Sequence, residues 1–150
     1  RTLEKLEKIV ADQSSEAQER KEAEYLLERV TTWAKGGEGL IAKLQATNPV
    51  ECMAELTLRH DLLKGHELGT FYVARYKKLK KDKAYKNEVK AYEKMLAIVA
   101  KGQSMGAFSK DASAEIRRAK AGFKKACQSF IDKHQGTIAA RELSGRLAKL

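Results

Sequence analysis

A chain of 150 residues with 30 Lys and Arg, 20 Asp and Glu, three His, two Cys, ten Gly and one Pro can bury roughly 70% of its unfolded surface in one core without staples. Its wealth of Ala, Leu, Lys, Glu and Arg favours helix over a sandwich or barrel. No apolar run approaches the roughly 20 residues of a membrane span, and the first residues lack the basic-then-apolar layout of a signal peptide. We therefore expect an all-α chain folding as a single domain over residues 1–150. A start at Arg1 fits either a processed mature protein or a fragment of a longer chain.

In chain order, Leu3, Leu6, Ile9 and Val10 predict a short helix over Thr2 to Ala11, interrupted by the capping residues Asp12 to Ser15. From Glu16 the apolar positions Ala23, Leu26, Leu27, Val30, Trp33 and Ala34 share one broad face, and Leu40, Ile41 and Leu44 continue it after Gly36-Gly37-Glu38-Gly39. The preserved phase favours one long, locally weak helix to Ala46, with a hinge at the glycines as the alternative. Asn48-Pro49-Val50-Glu51 reads as N-cap, first turn and third position of a third helix. That helix carries Met53, Leu56, Leu58 and Leu62-Leu63 and ends near Lys64-Gly65. Gly69 is then expected to close a loop and Thr70 to cap a fourth helix through Tyr72, Val73, Tyr76 and Leu79.

Asp82 is expected to cap a fifth helix with Tyr85, Val89, Tyr92, Leu96 and Val99 on one face, ending at Lys101-Gly102. Residues 102–111 read as a loop with Ser109 and Asp111 as candidate caps. A sixth helix follows with Ile116, Ala119, Phe123, Ala126-Cys127 and Phe130-Ile131, and a last one from Thr137 to Lys149 with Ala140, Leu143, Leu147 and Leu150. The turn His66-Glu67-Leu68-Gly69-Thr70, with Ala74-Arg75 beyond, returns near the chain end as His134-Gln135-Gly136-Thr137 with Ala140-Arg141 beyond. The two Gly-Thr turns are expected to mark similar corners among six or seven helices in consecutive antiparallel hairpins.

Charge is uneven: residues 1–50 hold eight basic and nine acidic side chains, residues 51–150 hold 22 and 11. Its densest part is the stretch 75–90. There Arg75, Lys77, Lys78, Lys80, Lys81 and Lys83 form the candidate anion-binding set, interleaved with Tyr76 and Tyr85. Both tyrosines fall in phase with apolar stripes and read as core, and Lys77, Lys78, Lys80 and Lys81 cover an arc of roughly 160° that an ordinary solvated face also shows.

No catalytic, cofactor or metal motif emerges. The sequence has no Cys-x-x-Cys, His-Glu-x-x-His, phosphate-binding glycine loop or haem-attachment motif. Cys127 stands seven residues from His134, and Cys52 eight from His60, roughly 10 Å or more along a helix and too far for a direct hydrogen bond. Both cysteines read as small buried side chains, and Trp33 as core.

The segment Phe123 to Leu147, with Phe130-Ile131-Asp132-Lys133-His134-Gln135-Gly136-Thr137 between two apolar stripes, resembles the hairpin turn of tetratricopeptide-like repeats in bacterial envelope proteins. His134 stands where that turn has an aromatic and Gln135 where it has proline. Leu79 to Tyr85 has the general character of helical regions attached to thioredoxin-like proteins. The resemblance implies a solenoid-like stack of hairpins, a periplasmic or secreted location, and a redox domain elsewhere in a longer chain. The functional expectation is a non-catalytic scaffold, not an enzyme, binding a protein or peptide or a neighbouring domain of the same polypeptide. The alternative is nucleic-acid or anionic-surface binding through the basic stretch.

Overall fold

The computed structural model describes residues 2–149. Among them are seven α-helices: α1 Thr2–Ala11, α2 Ala17–Thr47, α3 Pro49–Leu63, α4 Thr70–Lys81, α5 Lys83–Ser104, α6 Ala114–Lys133 and α7 Ile138–Leu147. A 3-10 turn, Glu67–Gly69, lies between α3 and α4, and the described residues include no strand. No helix among them is long and apolar enough to cross a membrane. Arg1 and Leu150, the latter placed on the last helix's apolar stripe, lie outside the described residues.

The chain forms two compact units, Arg1–Gln45 with Glu51–Leu79 and Ala46–Val50 with Lys80–Leu150. In the first, α1 ends where Asp12 Oδ1 accepts from the backbone N–H and hydroxyl of Ser14 (2.9 and 2.7 Å). These bonds favour the carboxylate and lower the Asp12 pKa. α2 runs unbroken through Gly36, Gly37 and Gly39. The buried apolar residues of this first unit are Leu3, Ala23, Ala34, Ile41, Leu44, Cys52, Leu56, Leu63, Tyr72 and Leu79. On α3 the buried phase is Cys52, Leu56, Arg59 and Leu63, while Leu58 and Leu62, placed on the apolar face by sequence, are 48% and 62% exposed.

The two Gly-Thr turns turn out to be different structures. Thr70 already has helical backbone angles (φ −54°, ψ −48°) and does not cap α4. The capping side chain here is His66, at the start of the 3-10 turn, whose Nδ1 accepts from Leu68 N–H (3.2 Å) while Nε2 meets Glu7 Oε1 (2.9 Å). Accepting at Nδ1 puts the ring proton on Nε2 in the neutral tautomer, so the imidazole bridges the turn and α1. Gly69 is required by proximity and not by a left-handed backbone: an added Cβ would overlap the Leu63 carbonyl oxygen, with the carbonyl carbon 2.6 Å away. In the later turn Gly136 is left-handed (φ 81°) and Thr137 is a true N-cap, accepting from Ala140 N–H at 3.1 Å.

In the second unit α5, α6 and α7 each pack on the other two. Their core is Ala91, Tyr92, Met95, Val99, Ala107, Phe123, Cys127, Phe130, Ala139, Ala140 and Leu143. Met95 takes the place expected of Leu96, which is 42% exposed. α5 also continues past Lys101-Gly102, because Gly102 lets the Phe123 ring lie against its backbone, with Cε2 2.6 Å from where a Cβ would stand. Asp82 caps α5 through Tyr85 N–H (3.1 Å) as expected. Ser113, not Ser109 or Asp111, caps α6 through Ile116 N–H (3.3 Å). Ser109 and Asp111 instead build the approach, accepting from Asp111 N–H and Ser113 N–H at 3.1 Å each. Glu88 accepts from Ile138 N–H (3.0 Å) at the start of α7, and Tyr92 donates to Glu142 (2.5 Å). These ties put a carboxylate at the positive end of the α7 dipole and set α5 and α7 running in the same direction.

Candidate functional site

The most chemically unusual place in the first unit is around Arg59, a residue with no role in the sequence reading. It is 3% exposed, yet carries a charge that water would otherwise solvate. Its position follows from helix geometry: Cys52, Leu56, Arg59 and Leu63 share one face of α3 at spacings of four, three and four. The guanidinium carbon lies 4.3 Å from the Trp33 ring centroid and 5.7 Å from that of Tyr72. One terminal nitrogen donates to Glu55, and Nε is buried without a hydrogen-bond partner among the described residues. Tyr72 donates its hydroxyl to Ala34 C=O. Burial raises the Tyr72 pKa, and the Arg59 charge beside it partly opposes the rise.

Gly37 is what admits this arrangement. An added Cβ there would overlap Arg59 Nε and stand 2.5 Å from the Tyr72 hydroxyl, whereas at Gly36 it would meet nothing within 4 Å. Both substitutions gain the same helix propensity, so Gly36→Ala is expected to stabilise by up to about 1 kcal/mol. Gly37→Ala is expected to lose about 2 kcal/mol to overpacking. Trp33 is the chain's one tryptophan, so denaturation followed by its fluorescence reads both. Parallel shifts of the two variants would show that the Arg59 pocket is not tightly packed. Trp33 itself is half-buried, a lid over Arg59 more than a core residue.

Beside this cluster Leu3, Leu6, Val30, Trp33, Leu62 and Leu63 line an apolar cleft of about 290 Å³. Leu26, one turn before Val30, is 46% exposed, and Leu58, one turn before Leu62, is also open to solvent. Apolar side chains thus continue outward from the cleft on two helices.

The candidate anion-binding set divides at the unit boundary. In the first unit Arg75 is half-buried and donates to the Gln45 side chain, while Lys77 and Lys78 are exposed on α4. In the second, Lys80 and Lys81 are exposed at the end of α4 and Lys83 at the start of α5. Tyr85 is buried, and half-buried Tyr76 stacks on His60 at 4.4 Å. Neither ring is free to stack on a base.

A more regular basic surface begins within the stretch 75–90, at Lys83, Lys86 and Lys90, and continues beyond it to residues that the sequence did not single out. Lys83, Lys86, Lys90, Lys94 and Lys101 are all exposed and fall within an arc of roughly 80° on the outer side of α5. On α6, Arg117, Arg118, Lys124 and Lys125 are exposed, and no acidic residue occurs between Glu115 and Asp132. The first unit holds 13 basic and 13 acidic residues and the second 17 and 7. The whole excess of +10 therefore sits in the second unit. The signal was in the lysine spacing, three and four residues apart, which local density overshadowed.

Cys52 and Cys127 are fully buried thiols, neither joined in a disulfide among the described residues. Burial raises the Cys127 pKa, which suits an inert thiol. Among the described residues no group of three or more His, Cys, Asp or Glu is placed to hold a metal ion. No family model, curated protein or solved structure matches the chain.

Proposed function

We propose that this protein is a non-catalytic helical scaffold of the tetratricopeptide-like hairpin kind, which binds a protein partner through the apolar cleft of its first unit. Location in the bacterial envelope belongs to the same reading. What carries it is the pair Leu58 and Leu62, one turn apart on α3 and 48% and 62% exposed, with Leu62 on the cleft wall. Large aliphatic groups presented together around a concavity are the usual anatomy of a protein-binding surface. A second reading, binding of nucleic acid or another anionic surface, is favoured by the basic outer sides of α5 and α6.

Immobilised wild-type chain and the Leu58→Asp/Leu62→Asp variant, incubated with nuclease-treated and untreated extract of the producing cells, separate these readings. The scaffold reading expects a defined protein held by wild type and lost by the variant, whose melting temperature stays within a few degrees of wild type. Recovery that depends on intact nucleic acid and collapses with added salt, equally for both proteins, would overturn it and support the second.

A further inference from the structure

We propose a second recognition site, the groove between α5 and α6, whose occupant is an amphipathic helix of a partner protein carrying acidic residues along both flanks. The groove is a cleft of about 230 Å³ lined by Ile98, Lys101, Gly102, Met105, Gly122, Phe123 and Ala126, with no residue of α7 in its wall. Its floor is apolar and low. Phe123 is 5% exposed, and the exposed Gly122 and Ala126 let another helix approach closely.

The rim is cationic. Lys101 is part of the wall, Lys94 lies one turn before Ile98, and Arg118 and Lys125 lie one turn to either side of Gly122. All four are exposed and make no ion pair among the described residues. An apolar strip between two cationic edges is complementary to a helix with an apolar stripe and carboxylates on either side. A nucleic-acid strand would want its phosphates on a continuous basic track and exposed rings beneath its bases. Here the basic edges are parted by aliphatic surface, and the one floor aromatic is buried.

Gly122 shapes the floor. It is exposed in the interior of α6, where glycine weakens a helix, and a Cβ there would touch nothing within 4 Å. Packing within the chain does not require glycine at this position. The missing side chain leaves the groove floor open.

The site is separate from the first unit's cleft and stands or falls separately. The probe is a fluorescent peptide of about four helical turns, roughly 15 residues, with leucines along one stripe and glutamates flanking it. Its control carries lysines in place of the glutamates. Binding is read by anisotropy in about 100 mM salt, where screening reaches roughly 10 Å. Wild type is expected to bind the glutamate peptide and not the lysine peptide. Gly122→Leu should fill the groove, melt no lower than wild type and weaken the glutamate peptide by about tenfold or more. Lys101→Glu/Lys125→Glu should weaken it similarly.

Gly36→Leu, at an open position of α2, and Leu58→Asp/Leu62→Asp should bind the peptide as wild type does. A single-stranded oligonucleotide and vesicles of anionic phospholipid should be indifferent to Gly122→Leu. Equal peptide affinity for wild type and Gly122→Leu overturns the proposal. So does parallel loss of peptide, oligonucleotide and vesicle binding in that variant, which would mark general anion attraction or damage to the fold.

Discussion

Alanine at Arg59 is expected to destabilise the first unit by about 3 kcal/mol, and methionine at the same position by no more than about 1 kcal/mol. The asymmetry follows from what the side chain does. Its stem fills space on the buried face of α3, and its guanidinium lies against the rings of Trp33 and Tyr72. Alanine removes all of that and leaves a cavity. Methionine restores most of the volume, makes its own contacts with the rings, and removes a buried charge whose Nε has no hydrogen-bond partner among the described residues. Glu55 is left alone in either case, but its side chain is 31% exposed and can return to water. Urea denaturation monitored through Trp33 tests this. Equal losses for alanine and methionine would mean that the charge itself, and not the volume, holds the pocket together.

The second large effect is expected at Gly69. Alanine there should cost about 3 kcal/mol, because the obstacle is the Leu63 carbonyl, part of the backbone and unable to rotate aside. Gly136→Ala should cost only about 1 kcal/mol, the strain of holding an ordinary residue left-handed in open space. Asparagine, which tolerates that conformation, should recover part of the loss at Gly136 and none at Gly69. Thermal melts of the four variants distinguish the cases. Similar losses at both glycines would mean that the two turns are equivalent after all.

Those two glycines also show how far sequence carries. The composition, the capping residue Asp82, the Pro49 start and the continuous phase across Gly36 to Gly39 made most helices legible, because local propensity and periodicity agree there. A Gly-Thr pair reads the same whether glycine turns the chain or merely clears another segment's carbonyl, and only tertiary contact separates the two. The same holds for Gly102, read as a helix end but lying inside the last turn of α5 against Phe123. On α3 the exposed Leu58 and Leu62 stand one position from the buried Arg59 and Leu63, and the packing of Trp33 and Gly37 around the guanidinium, a tertiary contact, decides which stripe is buried. The basic surface was half legible. Density pointed to residues 75–90, which takes in Lys83, Lys86 and Lys90 of the α5 array but not Lys94, Lys101 or the basic residues of α6.

The division of charge has a colloidal consequence. The unit that exposes Tyr25, Leu26, Leu58 and Leu62 carries no net charge of its own, so nothing in it opposes sticking to another copy. The strongly cationic second unit does oppose it, since every molecule brings the same ten positive charges to an encounter. Long-range repulsion from one half of the chain thereby keeps the greasy surface of the other half dispersed and available. An acidic partner that neutralises the second unit removes that protection as it binds, which leaves the leucines of the first unit free to be covered in the same assembly.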